Sequence, residues 1–287
     1  MATSLVSLVV ATYGRCADVG RLLDSLAAQI DTAFEVLIVD QNPDDRLREP
    51  INRGLAHGLR IRHLRMAQPS LSGARNLGIA QANGEIIGFP DDDCWYEPDT
   101  VAKVRAAFGP ATDIQGVVGT WVELLAGRQS ATPTGSLPYA DWRRFQGKGA
   151  SSITLFFRRQ LCERLSGFDE RFGVGKWYGA AEETDFILRA LASGARLDYC
   201  PDVIVHHALP LTATASLLAS CRAMRSRGRG TGGVYAKHRM SPWVILRGIA
   251  GQVIRPLLAG HFKHVPVGAS ASLGCLEGLV AWRCTEP

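Results

Sequence analysis

The sequence predicts an α/β fold built on a mostly parallel central sheet with flanking helices, followed by a helical, basic extension. Three observations carry this. Short, β-branched apolar runs alternate with helix-period segments through roughly the first 110 residues, the pattern of successive βαβ units. Two of those runs stop at acids, Asp40 and Asp91-Asp92-Asp93, and ligands of open parallel sheets bind at strand carboxyl ends. Charge is also divided along the chain: residues 206–287 hold ten Lys/Arg against two acids, and the rest is slightly acidic.

The elements follow in order. Leu5–Ala11 is an apolar run without helical period, hence a buried strand. Val19, Leu22, Leu23 and Leu26 then share one face of a helix over 15–29. Phe34–Val39 is a second strand ending at Asp40, and the alternation of Arg60–Arg65 suggests a third. Residues 72–83 read as a helix and Glu85–Phe89 as a fourth strand, stopping at the Asp triplet. Pro98 suits the first turn of a helix over 98–108. The second half is less regular. Gly116–Leu125 and Ser151–Phe157 read as strands, Arg159–Leu165 and Glu183–Ser193 as helices, and Ala195–Cys200 and Val203–His207 as two short strands. These give a catalytic unit over 1–210 and an extension over 211–287.

Composition excludes several classes. At 46% hydrophobic and 21% charged residues, wholesale disorder is excluded. The seven Cys include no CxxC pair, so neither a disulfide framework nor a zinc ribbon is expected, and a reducing compartment is. No basic region precedes the first apolar run, so no signal peptide is expected. In the extension, Trp243–Gly260 is broken by Arg247 and Arg255, and Val265–Trp282 contains Glu277 and several Gly and Ser. Arg-studded apolar helices with terminal Trp fit an anionic membrane surface better than a span, and a helical cap on the main unit is the plainer alternative.

The chemistry concentrates in a few places. Three adjacent carboxylates at Asp91, Asp92 and Asp93 repel unless a cation sits among them, and a hard divalent ion such as Mg²⁺ or Mn²⁺ is the natural partner; a solvated acidic turn is the alternative. Ser72-Gly-Ala-Arg75 opens a helix, where both the N-terminus and Arg75 favour a diphosphate, or Arg75 braces Asp91. Glu182-Glu183-Thr184-Asp185 begins another helix; its acids either complement the helix dipole or supply a general base. His206 or His207 offers an imidazole to a metal or phosphate. Arg225-Ser-Arg227-Gly-Arg229, followed by further glycines, reads as a phosphate wrap through Arg227 and Arg229 or as a flexible basic linker. Its shortness and lack of interleaved aromatics argue against nucleic acid.

Together these residues resemble an inverting, nucleotide-sugar-dependent glycosyltransferase of family 2, with a GT-A (Rossmann-like) fold. The resemblance rests on Val6-Ser-Leu-Val-Val-Ala-Thr-Tyr-Gly-Arg15, Glu35-Val-Leu-Ile-Val-Asp40, Gly73-Ala-Arg-Asn-Leu-Gly78, Gly84-Glu-Ile-Ile-Gly-Phe-Pro-Asp-Asp-Asp93, Gly167-Phe-Asp-Glu-Arg-Phe172 and Glu182-Glu-Thr-Asp-Phe186, six segments in the family's order across about residues 4–207. It implies that Thr12, Tyr13 and Asp40 hold the base and ribose, and that Arg75 lies beside the nucleotide. Asp91 and Asp93 would form a DxD pair toward ribose and metal diphosphate, with Asp92 at the substrate. Glu183 falls where the family places its base; the Glu-Glu pair leaves Glu182 and Asp185 as rivals. No Gln-x-x-Arg-Trp motif follows, which points to single addition.

The resemblance thus implies a metal-dependent, cytoplasmic enzyme, peripheral on the inner face of the cell membrane. It would move one sugar to a lipid-linked or oligosaccharide acceptor in exopolysaccharide, capsule or O-antigen assembly. A nucleotidyltransferase or dinucleotide oxidoreductase would want a glycine-rich loop after the first strand, where only Gly14 stands. A non-catalytic nucleotide-sugar-binding scaffold is the remaining rival.

Overall fold

The structure is a computed structural model of the full chain, and it describes residues 4–109, 112–123, 127–147, 150–208 and 216–285. The 210/211 boundary, Leu124 and Leu125 lie outside the described residues.

The chain runs β1 (Val6–Thr12), α1 (Ala17–Ala27), β2 (Phe34–Asp40), α2 (Arg48–Ala56), β3 (Ile61–Arg65), α3 (Leu71–Gln81), β4 (Ile86–Gly88), β5 (Cys94–Tyr96) and α4 (Thr100–Ala107). Then come β6 (Gly116–Glu123), β7 (Arg128–Gln129), β8 (Gly135–Ser136), α5 (Tyr139–Arg143), β9 (Leu155–Arg158), α6 (Arg159–Arg164), α7 (Glu182–Ala192) and β10 (Leu197–His207). Helices α8 (Leu217–Lys237), α9 (Pro242–Leu258) and α10 (Val265–Thr285) follow.

The strands form one sheet in the order β3-β2-β1-β4-β9-β6-β10-β5, with β7 on β6 and β8 on β10. From β3 to β4 it is parallel, as the βα alternation requires. Beyond β4 it becomes mixed: β9 is antiparallel to both neighbours, whereas β6 and β10 are parallel. Alternation along β1 and β2 divides the core in two. Val6, Leu8, Val10, Phe34, Val36 and Ile38 meet α1, α2 and α4 on one face. Val9, Leu37 and Val39 face the opposite cluster with residues of α3, α6 and α7. Gly78 shows how tightly α3 crosses β1: an added Cβ would lie 2.2 Å from a methyl of Val9.

Several elements depart from the sequence reading. The two short strands expected over 195–207 are one strand, β10, interrupted by a register shift between Tyr199 and Ile204. Pro98 precedes α4 rather than sitting in its first turn. Helix α2 is an element that the apolar pattern did not disclose, since only Pro50, Ile51 and Gly54 are buried on it.

The C-terminal helices share the main core: Val234, Tyr235, Met240, Val244, Cys275 and Trp282 belong to the same cluster as Phe172 and Phe186. The stretch Arg225–Gly233 is not a flexible linker but the middle of α8. Gly228 and Gly232 press on the backbone of α10 at Ala271 and Cys275, and Gly274 and Gly278 of α10 press back on the carbonyls of Arg225 and Arg229. A Cβ at any of the four would lie 2.0–2.2 Å from a carbonyl oxygen. Two helices can approach this closely only where both present glycine.

Candidate active site

The carboxyl ends of β1, β2 and β4 lie side by side. Thr12 is in register with Asp40, and Ala11 forms a parallel bridge with Asp91. The acidic triplet therefore emerges where β1 ends. His207, the last residue of β10, pairs with Cys94 and comes to lie beside Asp93.

The three aspartates have different surroundings. Asp91 accepts a hydrogen bond from Arg75 at 3.1 Å. Burial raises its carboxyl above the usual range against the pull of Arg75, and Asp93 and Glu182 add to the rise. Asp92 lies beside Thr12 and 3.3 Å from Arg15. Burial pushes it up to about 6. Asp93 is buried too, but His207 at 3.2 Å and an ion pair with Arg15 hold it below its usual value. The same contact with Asp93 raises His207.

Ligand atoms of Asp91, Asp93 and His207 lie within 4.8 Å of one another, a grouping able to hold a metal ion. Two carboxylates and an imidazole suit a divalent cation with oxygen-rich preferences. The charge balance agrees. Among the described residues Asp91, Asp92, Asp93, Glu182 and Glu183 have Arg15, Arg75 and His207 as their side-chain cationic partners, and three of these acids are held above their usual range. Alternation on β10 sends the preceding residue elsewhere. His206 is buried against Glu97 and stacks on Trp95 with ring centroids 5.3 Å apart. Of the two histidines, only His207 belongs to the acidic group.

Arg75 is 2% exposed. It opens outward from α3, whose N-cap Ser70 accepts from Gly73, and its second nitrogen donates to Glu182 at 3.0 Å. Glu183 is next along. Burial, followed by the adjacent Glu182 charge, holds its carboxyl well above the ordinary range. The pair is presented by an unusual start to α7: Ala181 has φ +76°, a left-handed conformation costing a non-glycine residue about 1–3 kcal/mol. Asp185 points away. It is sealed from solvent by Arg189, Lys237 and His238 at 2.7–2.8 Å, so it ties α7 to α8 and is not placed to serve as a base.

Asp40 is also fully buried. One oxygen accepts from the backbone and side chain of Asn42 and the other faces His63 at 2.9 Å. Asn42 in turn accepts from the Gly14 amide at 2.6 Å. Asp40 thus shapes the loop after β1, whereas Tyr13 stands open at its tip. Arg229 is paired with Glu277 at 3.0 Å and lies over Trp177, and Arg227 is exposed on α8. Neither is brought to the acidic group.

Sequence reasoning missed Arg15, Asn42 and His63. Arg15 stood within the quoted Val6–Arg15 segment, and the alternation of Arg60–Arg65 put His63 on one face of an expected strand. Their partners become visible only once β1 to β4 are side by side.

The fold is that of the GT-A glycosyltransferases. The model of the family "Glycosyl transferase family 2" matches residues 7–149. The putative glycosyltransferase EpsH of Bacillus subtilis is 32% identical over 114 residues, 40% of this chain and 33% of EpsH, so the chain aligns with about a third of that relative's length. The mannosyltransferase PcManGT of Pyrobaculum calidifontis, solved with GDP-Man and Mn²⁺, superposes with a TM-score of 0.63 at 18% identity, covering 100% of this chain and 77% of that one. S. aureus TarS 1–349, solved with UDP-GlcNAc, gives 0.61 at 18%, covering 95% and 91%. Residues 7–149 thus carry a glycosyltransferase family 2 domain.

Proposed function

We propose that the protein transfers a single sugar, with inversion, from a nucleotide-diphosphate sugar to a hydroxyl of a lipid-linked or oligosaccharide acceptor in surface-polysaccharide assembly. The observation that carries this reading is that Arg75 links the Asp91–Asp93–His207 group to the Glu182–Glu183 pair. In this reading a cation-binding end and a carboxylate with raised proton affinity lie on either side of Arg75 near the strand carboxyl ends.

In this reading Asp91, Asp93 and His207 hold Mg²⁺ or Mn²⁺, which offsets charge on the donor diphosphate. Donor complexes of PcManGT and TarS, one with Mn²⁺, are consistent with it. Tyr13 and the Gly14–Asn42 loop receive the base, and Asp40 positions that loop from behind. Glu183 takes the proton of the acceptor hydroxyl as its oxygen attacks the anomeric carbon. The bond from that carbon to the diphosphate oxygen breaks on the opposite side, which inverts the centre. Arg15, beside Asp92 and Asp93, is placed to face the departing diphosphate. The cytoplasmic face of the cell membrane, where a lipid-linked acceptor is met, is the proposed location.

The test is a donor screen. Purified protein with Mn²⁺ or Mg²⁺ is offered UDP-, GDP- and dTDP-sugars with and without membrane lipid extract, and released nucleoside diphosphate is followed. Release with one donor, abolished by chelation, is expected. Nucleotide binding without release under every condition would sink the transferase reading in favour of a binding module.

A further inference from the structure

Among the described residues one helical stretch, Phe262–Cys284, is long and apolar enough to cross a membrane. Its packing argues against that use. Gly274 and Gly278 lie on the backbone of α8, Glu277 is ion-paired with Arg225 and Arg229, and Trp282 is 1% exposed against Phe172 and Tyr178. Moving α10 into lipid would strip all of these and carry an acid with it.

Helix α9 is the opposite case. Val244 is its one fully buried residue, and Ile245 and Ile249 pack inward beside it. On the outer side Trp243, Leu246, Ile254 and Leu257 fall within roughly 80° of one another at about 100° per residue, and all are exposed. Trp243 is 68% exposed, Leu258 at the end of the helix 84% and Phe262 in the following turn 70%. The helix is thus apolar on both sides, and no described residue covers its outer side. The surrounding charge is of one sign: from Arg239 to His264 the chain carries Arg239, Arg247, Arg255 and Lys263 and no Asp or Glu. Like charge disfavours a second copy of this face, whereas an anionic lipid surface complements it.

We propose that α9 lies in the plane of an anionic bilayer, with Trp243, Leu246, Leu257, Leu258 and Phe262 inserted among the acyl chains and Arg255 and Lys263 at the headgroups, while α10 stays packed on α8. This deepens the proposed membrane location and rests on that reading.

The experiment is co-sedimentation of the full chain with vesicles of phosphatidylcholine alone or mixed with phosphatidylglycerol, at low and high salt. Binding to the phosphatidylglycerol vesicles that weakens with salt is expected. The variants Trp243→Ser/Leu246→Ser and Leu257→Ser/Leu258→Ser change exposed positions and should each lower partitioning about tenfold or more. The control Leu273→Ser/Leu276→Ser/Val280→Ser, on the exposed side of α10, should bind like the parent. Carbonate washing should release the protein from membranes. Undiminished binding by both α9 variants, carbonate resistance, or an α9-dependent dimer without vesicle binding would each overturn the proposal. Nucleoside diphosphate release in detergent without lipid tests the transferase reading separately.

Discussion

Asp91 and Glu182, far apart in sequence, accept hydrogen bonds from the two terminal nitrogens of one buried guanidinium, at 3.1 and 3.0 Å. Arg75 therefore fixes the distance between the end of β4 and the start of α7. The proposed cation-binding and proton-accepting halves of the site are thus joined through a single side chain.

Replacing Arg75 should for that reason affect stability and turnover together. Removing one partner of a buried ion pair costs about 3–5 kcal/mol, and Arg75→Ala leaves two carboxylates behind. Arg75→Lys should not restore activity, because an ammonium cannot reproduce the two-pronged geometry. Thermal denaturation and donor turnover of both variants check this; a lysine variant with near-parental turnover would refute the bridging role.

The histidines should separate cleanly. His207→Ala is expected to raise the Mn²⁺ concentration needed for half-maximal turnover at least about tenfold, within the range for losing a metal-site group. His206→Ala, on the other face of β10, should leave that requirement unchanged. Asp93→Ala should abolish metal-stimulated turnover. Metal titrations of the three variants read this directly, and equal effects at both histidines would contradict the assignment.

Glu183 carries a pH prediction. Its carboxyl is held above the ordinary value of about 4.3 by burial and by Glu182, and only the ionised form can accept a proton. Activity should therefore be low in acid and rise with pH through that elevated value, giving an alkaline-shifted rising limb in kcat/KM. Glu183→Gln should bind donor normally and lose turnover by about 10²–10⁴, the scale of general-base contributions. The sign for stability is the reverse. A raised acid pKa in the folded state makes ionisation a cost, absent below the ordinary value and fully present above the elevated one. Glu183→Gln should thus melt higher than the parent at neutral and alkaline pH. A parent-like melting temperature there would argue that the carboxyl is not perturbed.

The anchoring of the 167–172 segment to α8, through Asp169 and Lys237, should be acid-sensitive. Burial would raise Asp169, but hydrogen bonds from Arg171 and Lys237 outweigh it and hold the carboxyl well below its usual range. A depressed folded value means the stabilisation is fully present above the unfolded pKa, about 3.9, and is lost as pH falls toward the folded one. Lys237→Met should flatten the acid limb of denaturant stability below about pH 4 while α9-dependent vesicle binding persists. An unchanged acid limb would show that the contact contributes nothing.

Much of this was legible in one dimension. The apolar period gave β1, α1, β2 and α3 because each buries one contiguous set of side chains, and burial is written in spacing. Asp40, Arg75, the Asp triplet and the Glu-Glu pair stood out because polar groups at strand and helix ends are costly unless used. The sequence could not say which acid would be sealed. Asp185 and Asp40 look as available as Glu183 and Asp91, yet Lys237, His238 and His63 close on them from elements that are neighbours only after folding. It could not choose between His206 and His207, because the face each takes depends on how β10 is paired. Composition sets how apolar α10 is, but the glycines shared with α8 bury one side of it, and the outer side of α9 is left exposed. Local chemistry is fixed by residue type and period; which groups meet, and which stay exposed, is a property of long-range packing.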